Sequence, residues 1–181
     1  MDVRFLEAAD AIRERFIKCF VLSWEEFQHQ YRPLIAKRAK TRYPIDFKWY
    51  QDSYLWDKAD RNFQNLSFAD ALTFLQQRSG KVLFMGEKGK CTTCRDKQIQ
   101  DSVGEADARE LAAEIKKEWF DSYTLSPGWY NPDAFLTDDL YVFDLSMQWC
   151  VMFTHETTLD EPYPEDSIQE AESRLCLIYS K

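Results

Sequence analysis

Two apolar segments in the last third of the sequence constrain the fold more than any other feature. Residues 140–143 and 148–154 are rich in β-branched and aromatic side chains, and a short connection at 144–147 separates them. This arrangement predicts a β-hairpin. The second segment contains the run WCVMF, in which alternate side chains are apolar on both faces of a strand. We therefore predict a central strand of a sheet that is covered on both sides.

Helical patterns dominate the beginning of the chain. Residues 3–20 place apolar side chains at spacings of mostly three and four, which predicts an amphipathic helix. Ser23 followed by Glu26 predicts a capping box at the start of a second helix. Pro33 then either kinks this helix or begins a short successor that ends near Lys40.

The middle of the chain adds further helices and strands. We predict a third helix after the capping residue Ser67, a buried strand at 81–85, a fourth helix at 105–120 and a last strand at 175–179. Helices that precede a small mixed or antiparallel sheet with a C-terminal hairpin define an α+β fold. No linker composition interrupts the chain, so we expect a single domain over residues 1–181.

Composition limits the class of protein. A chain of 181 residues that is 45% hydrophobic and 15% aromatic is globular rather than disordered. No apolar run approaches the roughly 20 residues that a bilayer requires, and the first residues carry acids where a secretion signal is apolar. Five cysteines, an odd number, fit a reducing compartment. We therefore expect a cytoplasmic protein with no membrane contact.

Charge is strongly segregated along the chain. Residues 121–181 contain 12 acidic and 2 basic side chains, a net charge of −10. Such a segment attracts a basic partner and repels nucleic acid. A basic stretch at 32–48 holds six basic residues and one acidic residue, and we interpret its lysines and arginines as complements to the negative end of a helix. Nucleic acid is therefore not the expected partner.

Cys91 and Cys94 form the most conspicuous local motif, a CxxC sequence within the polar region 86–104. Two thiolates at this spacing hold one face of a tetrahedral zinc ion or exchange a disulfide. A structural zinc site needs four ligands, and the chain has no second CxxC and only two histidines, His29 and His155. A zinc-binding or thiol-redox protein is therefore the alternative hypothesis, and otherwise no cofactor is expected.

Signatures of catalysis are missing from the sequence. It contains no GxGxxG, Walker A, GxSxG or HExxH motif. His155 and Glu156 are adjacent at the end of a predicted strand, where neighbouring side chains point to opposite faces. The sequence thus favours a non-enzymatic protein, and we assign no catalytic residue. The aromatic residues at 49–56 suit either core packing, which we favour, or a binding surface.

Two short elements carry a resemblance to known proteins. The segment SYLWD at 53–57 is the first, and the second is YVFD at 141–144 followed by the tryptophan and THE sequence of 149–156. This pattern resembles a loose group of small bacterial proteins, some of them immunity-like proteins encoded beside secreted toxins. The resemblance implies a compact cytosolic domain, and it implies no catalytic residues.

Charge and resemblance together lead to one hypothesis. We predict a protein-binding domain, an immunity protein that neutralises a basic, nuclease-type toxin through its acidic last third. The alternative is that these acids only keep the protein soluble. The predicted contacts with the partner are Asp138, Asp139, Asp160, Glu161, Glu165 and Asp166.

Overall fold

An antiparallel sheet of seven strands organises the computed structural model, which describes residues 1–42, 44–60, 62–87, 102–115, 139–154 and 176–180. The strands lie in the order β1-β4-β3-β5-β6-β7-β2. Their bounds are β1 Arg4–Phe5, β2 Gln64–Leu66, β3 Lys81–Gly86, β4 Gly104–Asp107, β5 Leu140–Phe143, β6 Trp149–Phe153 and β7 Cys176–Ser180.

Most of the helices precede the strands of the central sheet, as predicted. The helices are α1 Ala9–Phe20, α2 Trp24–Gln30, α3 Arg32–Arg38, α4 Phe47–Asp52, α5 Phe68–Gln76 and α6 Ala108–Glu114, with a 3-10 turn at Trp56–Lys58. The α+β fold is therefore confirmed. Among the described residues, none of these helices is long and apolar enough to cross a membrane.

The predicted hairpin is present and lies at the centre of the sheet. β5 and β6 pair so that Val142 is opposite Val151, and both strands are almost completely buried. Asp144 closes the connection, because its carboxylate accepts the backbone N–H groups of Ser146, Gln148 and Trp149. Alternating apolar side chains on both faces explain why these strands occupy the middle of the sheet rather than an edge.

Each face of the sheet is covered by its own hydrophobic core. On one face, α5 and α6 pack on the strands through residues that include Leu75 and Leu111. On the other face, α1 contributes Phe16 and Phe20, which pack against Tyr141 and Phe143 of β5 and against Trp56. The predicted cover on both sides of the central strands is confirmed.

A third and smaller core lies among α2, α3 and α4, around the buried Phe27. The predicted capping box is present, since Ser23 accepts the N–H of Glu26 and the Glu26 carboxylate accepts the N–H of Ser23. Pro33 starts the separate helix α3, and Arg38 in its last turn lies over the ring of Trp49 at 5.9 Å. Trp49 is half-buried in this core, so the aromatic region packs as we favoured.

Two predicted helix starts are wrong. Arg4–Phe5 form the edge strand β1 beside β4, and α1 begins only at Ala9, although the apolar spacing extends back to residue 3. Gly104–Asp107 likewise form β4, and α6 begins after the cap residue Asp107. In both places pairing with a neighbouring strand outweighs the local helical pattern, because the strand pairs satisfy backbone groups beside a buried core.

Candidate functional site: a polar cluster beside an acidic cleft

One end of the central sheet is polar. Strand pairing aligns Gly86 of β3 with Leu140 of β5, Leu140 with Phe153 of β6, and Phe153 with Cys176 of β7. These four residues therefore form one row across the sheet. The chain leaves or enters the sheet at this row in all four strands, so the adjoining residues gather at one place.

At β3, β5 and β6, the residues one position beyond this row, just outside the strands, have polar side chains, whereas the strands themselves are largely apolar. Glu87 follows β3, Asp139 precedes β5 and Thr154 follows β6, and all three are buried. Side chains alternate between faces, so Glu87 shares the face of Met85, which packs under α1. By the same alternation Asp139 and Thr154 lie on the α1 face. We call Glu87, Asp139, Thr154 and Tyr141 the polar cluster.

Tyr141 links this cluster together. Its side chain is fully buried, and its hydroxyl donates a hydrogen bond to the Glu87 carboxylate, which also accepts the N–H of Leu55 at 3.2 Å. Burial, followed by the negative charges of Glu87 and Asp139, raises the pKa of Tyr141 well above its usual value. The phenol therefore stays protonated and acts as a donor to the carboxylate.

Arg13 of α1 joins the helix to this end of the sheet. Its guanidinium donates to the carbonyl of Gly86 at 2.9 Å and to the carbonyl of Ser102 at 3.2 Å. These two residues flank the segment that connects β3 to β4, so one side chain holds both ends of that connection. Arg13 is only 6% exposed, and burial of its charge is consistent with these two hydrogen bonds.

A cleft of about 370 Å³ lies between α1 and Glu87, the residue that follows β3. Among the described residues that line it, three carboxylates and one guanidinium give a net formal charge of −2, and the other two are aliphatic. The lining residues are Asp10, Arg13, Glu14, Ile17, Leu55 and Glu87. The cleft thus combines negative charge with an apolar wall, a combination that suits a cation carried on a hydrocarbon chain.

Metal binding has little support in this part of the structure. Across the described residues, no group of three or more histidine, cysteine, aspartate or glutamate side chains is arranged to hold a metal ion. The two described core cysteines lie in different cores, Cys150 with α1 and Cys176 with α5, and Cys19 is exposed. The CxxC pair Cys91 and Cys94 lies outside the described residues.

The predicted contact residues are placed only in part. Asp139 is fully buried next to Tyr141, so it offers no surface to a partner and belongs instead to the polar cluster. The other five predicted contacts lie outside the described residues, namely Asp138, Asp160, Glu161, Glu165 and Asp166.

The residues on either side of the acidic segment 155–175 are nevertheless described. This segment contains seven acidic residues and one basic residue, a net charge of −6. It follows Thr154 and precedes Cys176, which are both fully buried at the polar end of the sheet. Two strand spacings separate Thr154 from Glu87, which amounts to about 10 Å. Thr154, the residue before the acidic segment, therefore lies close to the cleft.

Sequence reasoning missed the residues that build the cleft. Arg13 follows Ala9 by four and precedes Phe16 by three, so its position in the apolar stripe of α1 was a usable signal. Glu87 directly follows a buried strand, which is a place where polar groups leave a core. Asp10 and Glu14 are ordinary exposed helix residues, and nothing in the sequence distinguishes them.

Comparison with known proteins gives no family assignment. No protein-family model, no curated protein and no solved structure matches this chain.

Proposed function

We propose that this chain is an immunity protein, a cytoplasmic protein-binding domain that neutralises a basic bacterial toxin of the nuclease type. One observation carries the proposal: the net charge of −10 in residues 121–181. A nuclease presents lysines and arginines to phosphate groups. An acidic surface steers toward such a site, covers it and competes with nucleic acid.

The placement of charge on the fold supports this proposal. Thr154 and Cys176, which flank the segment 155–175 of net charge −6, lie at the polar end of the sheet, and the described residues that line the cleft there add −2. The screening length at physiological salt is about 8 Å, so steering by these charges should be strongest at low ionic strength. The proposed contacts are Asp138, Asp160, Glu161, Glu165 and Asp166.

The proposal assigns the sheet a supporting role. A sheet covered on both faces is a rigid base for connections that leave it at one end. The polar cluster and Arg13 hold the described residues at this end of the sheet in place.

Association kinetics with the basic protein that co-purifies at low ionic strength test the proposal. Reversal of charge at Asp160, Glu161, Glu165 and Asp166 to lysine should slow association about tenfold or more and weaken its salt dependence. The matched control reverses four exposed acids elsewhere, Asp2, Glu25, Glu110 and Glu114. The control should slow association much less, although its change in net charge is identical.

Two outcomes would overturn the proposal. Equal slowing by both four-residue variants would mean that net charge, and no particular surface, governs association. Unchanged kinetics of the first variant would remove the acidic segment from the interface. A functional readout accompanies the kinetics: co-expression of the chain should restore growth of cells that produce the basic partner, and the first variant should restore it less.

A further inference from the structure

The cleft beside α1 has a composition that the proposed function does not by itself explain. Carboxylates come from both of its sides, Asp10 and Glu14 from α1 and Glu87 from the end of β3. Asp10 and Glu14 are exposed, whereas Glu87 is only 7% exposed and lies at the inner end. A cation that enters the cleft therefore passes from exposed carboxylates toward a buried one.

Two aliphatic side chains form the apolar part of the described lining. Ile17 is 40% exposed and is one of five large hydrophobic side chains that are exposed in the described part of the chain. It lines the cleft together with Leu55, which is half-buried. An aliphatic side chain with a charged end fits both this apolar surface and the carboxylates, because its methylene groups lie on apolar surface while its head stays polar.

Arg13 is the basic residue among the described lining residues, and the fold holds it in place. Arg13 donates to the carbonyls of Gly86 and Ser102, so its guanidinium braces the wall where α1 meets the sheet. Among the described lining residues, the three carboxylates still outnumber Arg13 and give a net charge of −2. The cleft is therefore complementary to positive charge.

We propose that this cleft receives a lysine or arginine side chain of the basic partner, with the aliphatic stem on Ile17 and Leu55 and the cationic head toward Glu14 and Glu87. This inference rests on the proposed function, which supplies a basic partner. It goes further because it names one anchoring point on the chain. Interfaces concentrate their binding energy in a few such anchors, and arginine is prominent among them.

A small probe tests the cleft without the partner. Acetyl-lysine-methylamide, titrated into the full chain to concentrations on the order of 1 to 10 mM, should shift the NMR signals of Ile17, Leu55 and Glu87. Acetyl-norleucine-methylamide has the same stem length without the charge, and it should not shift them. Glu14→Gln should weaken the lysine effect, and Glu25→Gln, the same change at an exposed site outside the cleft, should not.

The partner complex provides the second measurement. Glu14→Gln combined with Ile17→Ser should weaken the affinity for the basic partner about tenfold, which corresponds to about 1.4 kcal/mol, and Glu25→Gln should leave it unchanged. Equal affinity of all three proteins would overturn the cleft as the anchor while the proposed function stands. Absence of any lysine-specific shift in the probe titration would overturn it independently. Loss of the proposed function would instead appear as absence of a basic partner.

Discussion

The hydroxyl of Tyr141 donates a hydrogen bond to the carboxylate of Glu87, a residue 54 positions earlier in the chain, and both side chains are buried. This bond joins the start of β5 to the end of β3 beneath α1. It supplies a hydrogen-bond donor to the buried Glu87 carboxylate at the inner end of the acidic cleft. The pair therefore links the stability of the fold to the charge of the candidate site.

Removal of the hydroxyl should be costly. Tyr141→Phe leaves the buried carboxylate of Glu87 without this donor, so we expect the free energy of unfolding to fall by about 1–3 kcal/mol. Urea denaturation measures the change. Tyr179→Phe is the matched control, because Tyr179 is only partly buried, and it should change stability by less than about 0.5 kcal/mol. Equal effects of the two variants would contradict the role of this bond.

The raised pKa of Tyr141 predicts a loss of stability at alkaline pH. Burial and the charges of Glu87 and Asp139 raise the pKa of Tyr141 in the folded protein, whereas a tyrosine in the unfolded chain ionises near pH 10. A group whose pKa is raised by folding contributes stability below its unfolded pKa, and this contribution is lost as pH rises toward its folded pKa. The wild-type protein should thus lose more stability above pH 10 than Tyr141→Phe does. Parallel curves would contradict the prediction.

Strands β3 and β4 approach each other so closely at Gly104 that one added methyl group there should destabilise the protein. Gly104 of β4 is paired with Phe84 of β3, and a Cβ atom at position 104 would lie 2.3 Å from Cζ of the phenylalanine ring. The ring is 2% exposed. Gly104→Ala should therefore destabilise the protein by about 1–3 kcal/mol. In Gly104→Ala/Phe84→Leu the alanine should cost less than it does alone, and additive costs in thermal or urea unfolding would contradict the packing argument.

Substitution of Arg13 should destabilise the protein far more than substitution of Arg15, an exposed arginine on the same helix. Arg13→Met removes the donors to the carbonyls of Gly86 and Ser102, so we expect a loss of about 1–3 kcal/mol. Hydrogen exchange should quicken at the N–H of Leu6, which bonds to the carbonyl of Val103 next to Ser102. Arg15→Met changes an exposed arginine and should alter neither quantity. Unchanged exchange at Leu6 in Arg13→Met would contradict the bracing role.

The hairpin turn predicts a loss of stability at acid pH. Partial burial raises the pKa of Asp144, but hydrogen bonds from the Ser146 hydroxyl and from the N–H groups of Trp149, Gln148 and Ser146 outweigh it, and the pKa is lowered. The stability that these bonds contribute is present above the unfolded pKa of about 3.9 and is lost as pH falls through the folded value.

Asp144→Asn should therefore be less stable than wild type at pH 7 and should approach it as the pH drops below about 4. Urea unfolding at several pH values measures the difference. Leu145→Ala, a change at a side chain that is 53% exposed in the same turn, should leave the pH dependence as in wild type. A constant gap between Asp144→Asn and wild type at all pH values would contradict the assignment.

The sequence predicted those elements whose signal is local. The hairpin followed from alternating apolar side chains on 140–143 and 148–154, and the capping box followed from Ser23 and Glu26. Prediction from the sequence failed where pairing with a strand that is distant in the chain determines the local structure. Gly104–Asp107 pairs with β3 and also with Arg4–Phe5, and no local pattern reveals a partner about 100 residues away.

The candidate site was predictable only in its overall charge. The acidic last third is visible in the composition, but the cleft combines α1 with the end of β3, two elements that are far apart in sequence. Asp139 shows the limit most clearly. Its acidic neighbourhood predicted a surface contact, whereas its position one residue before a central strand places it in the core beside Tyr141.

Native mass spectrometry of the chain purified from its own host at low ionic strength tests the central claim most directly. The account predicts a one-to-one complex with a basic protein. This complex should dissociate when the salt rises from about 0.1 M to about 1 M, because the screening length falls from about 10 Å to about 3 Å. It should also be depleted when Asp160, Glu161, Glu165 and Asp166 are reversed to lysine. Recovery of the chain alone, or of a complex that is insensitive to both salt and these substitutions, would contradict the claim.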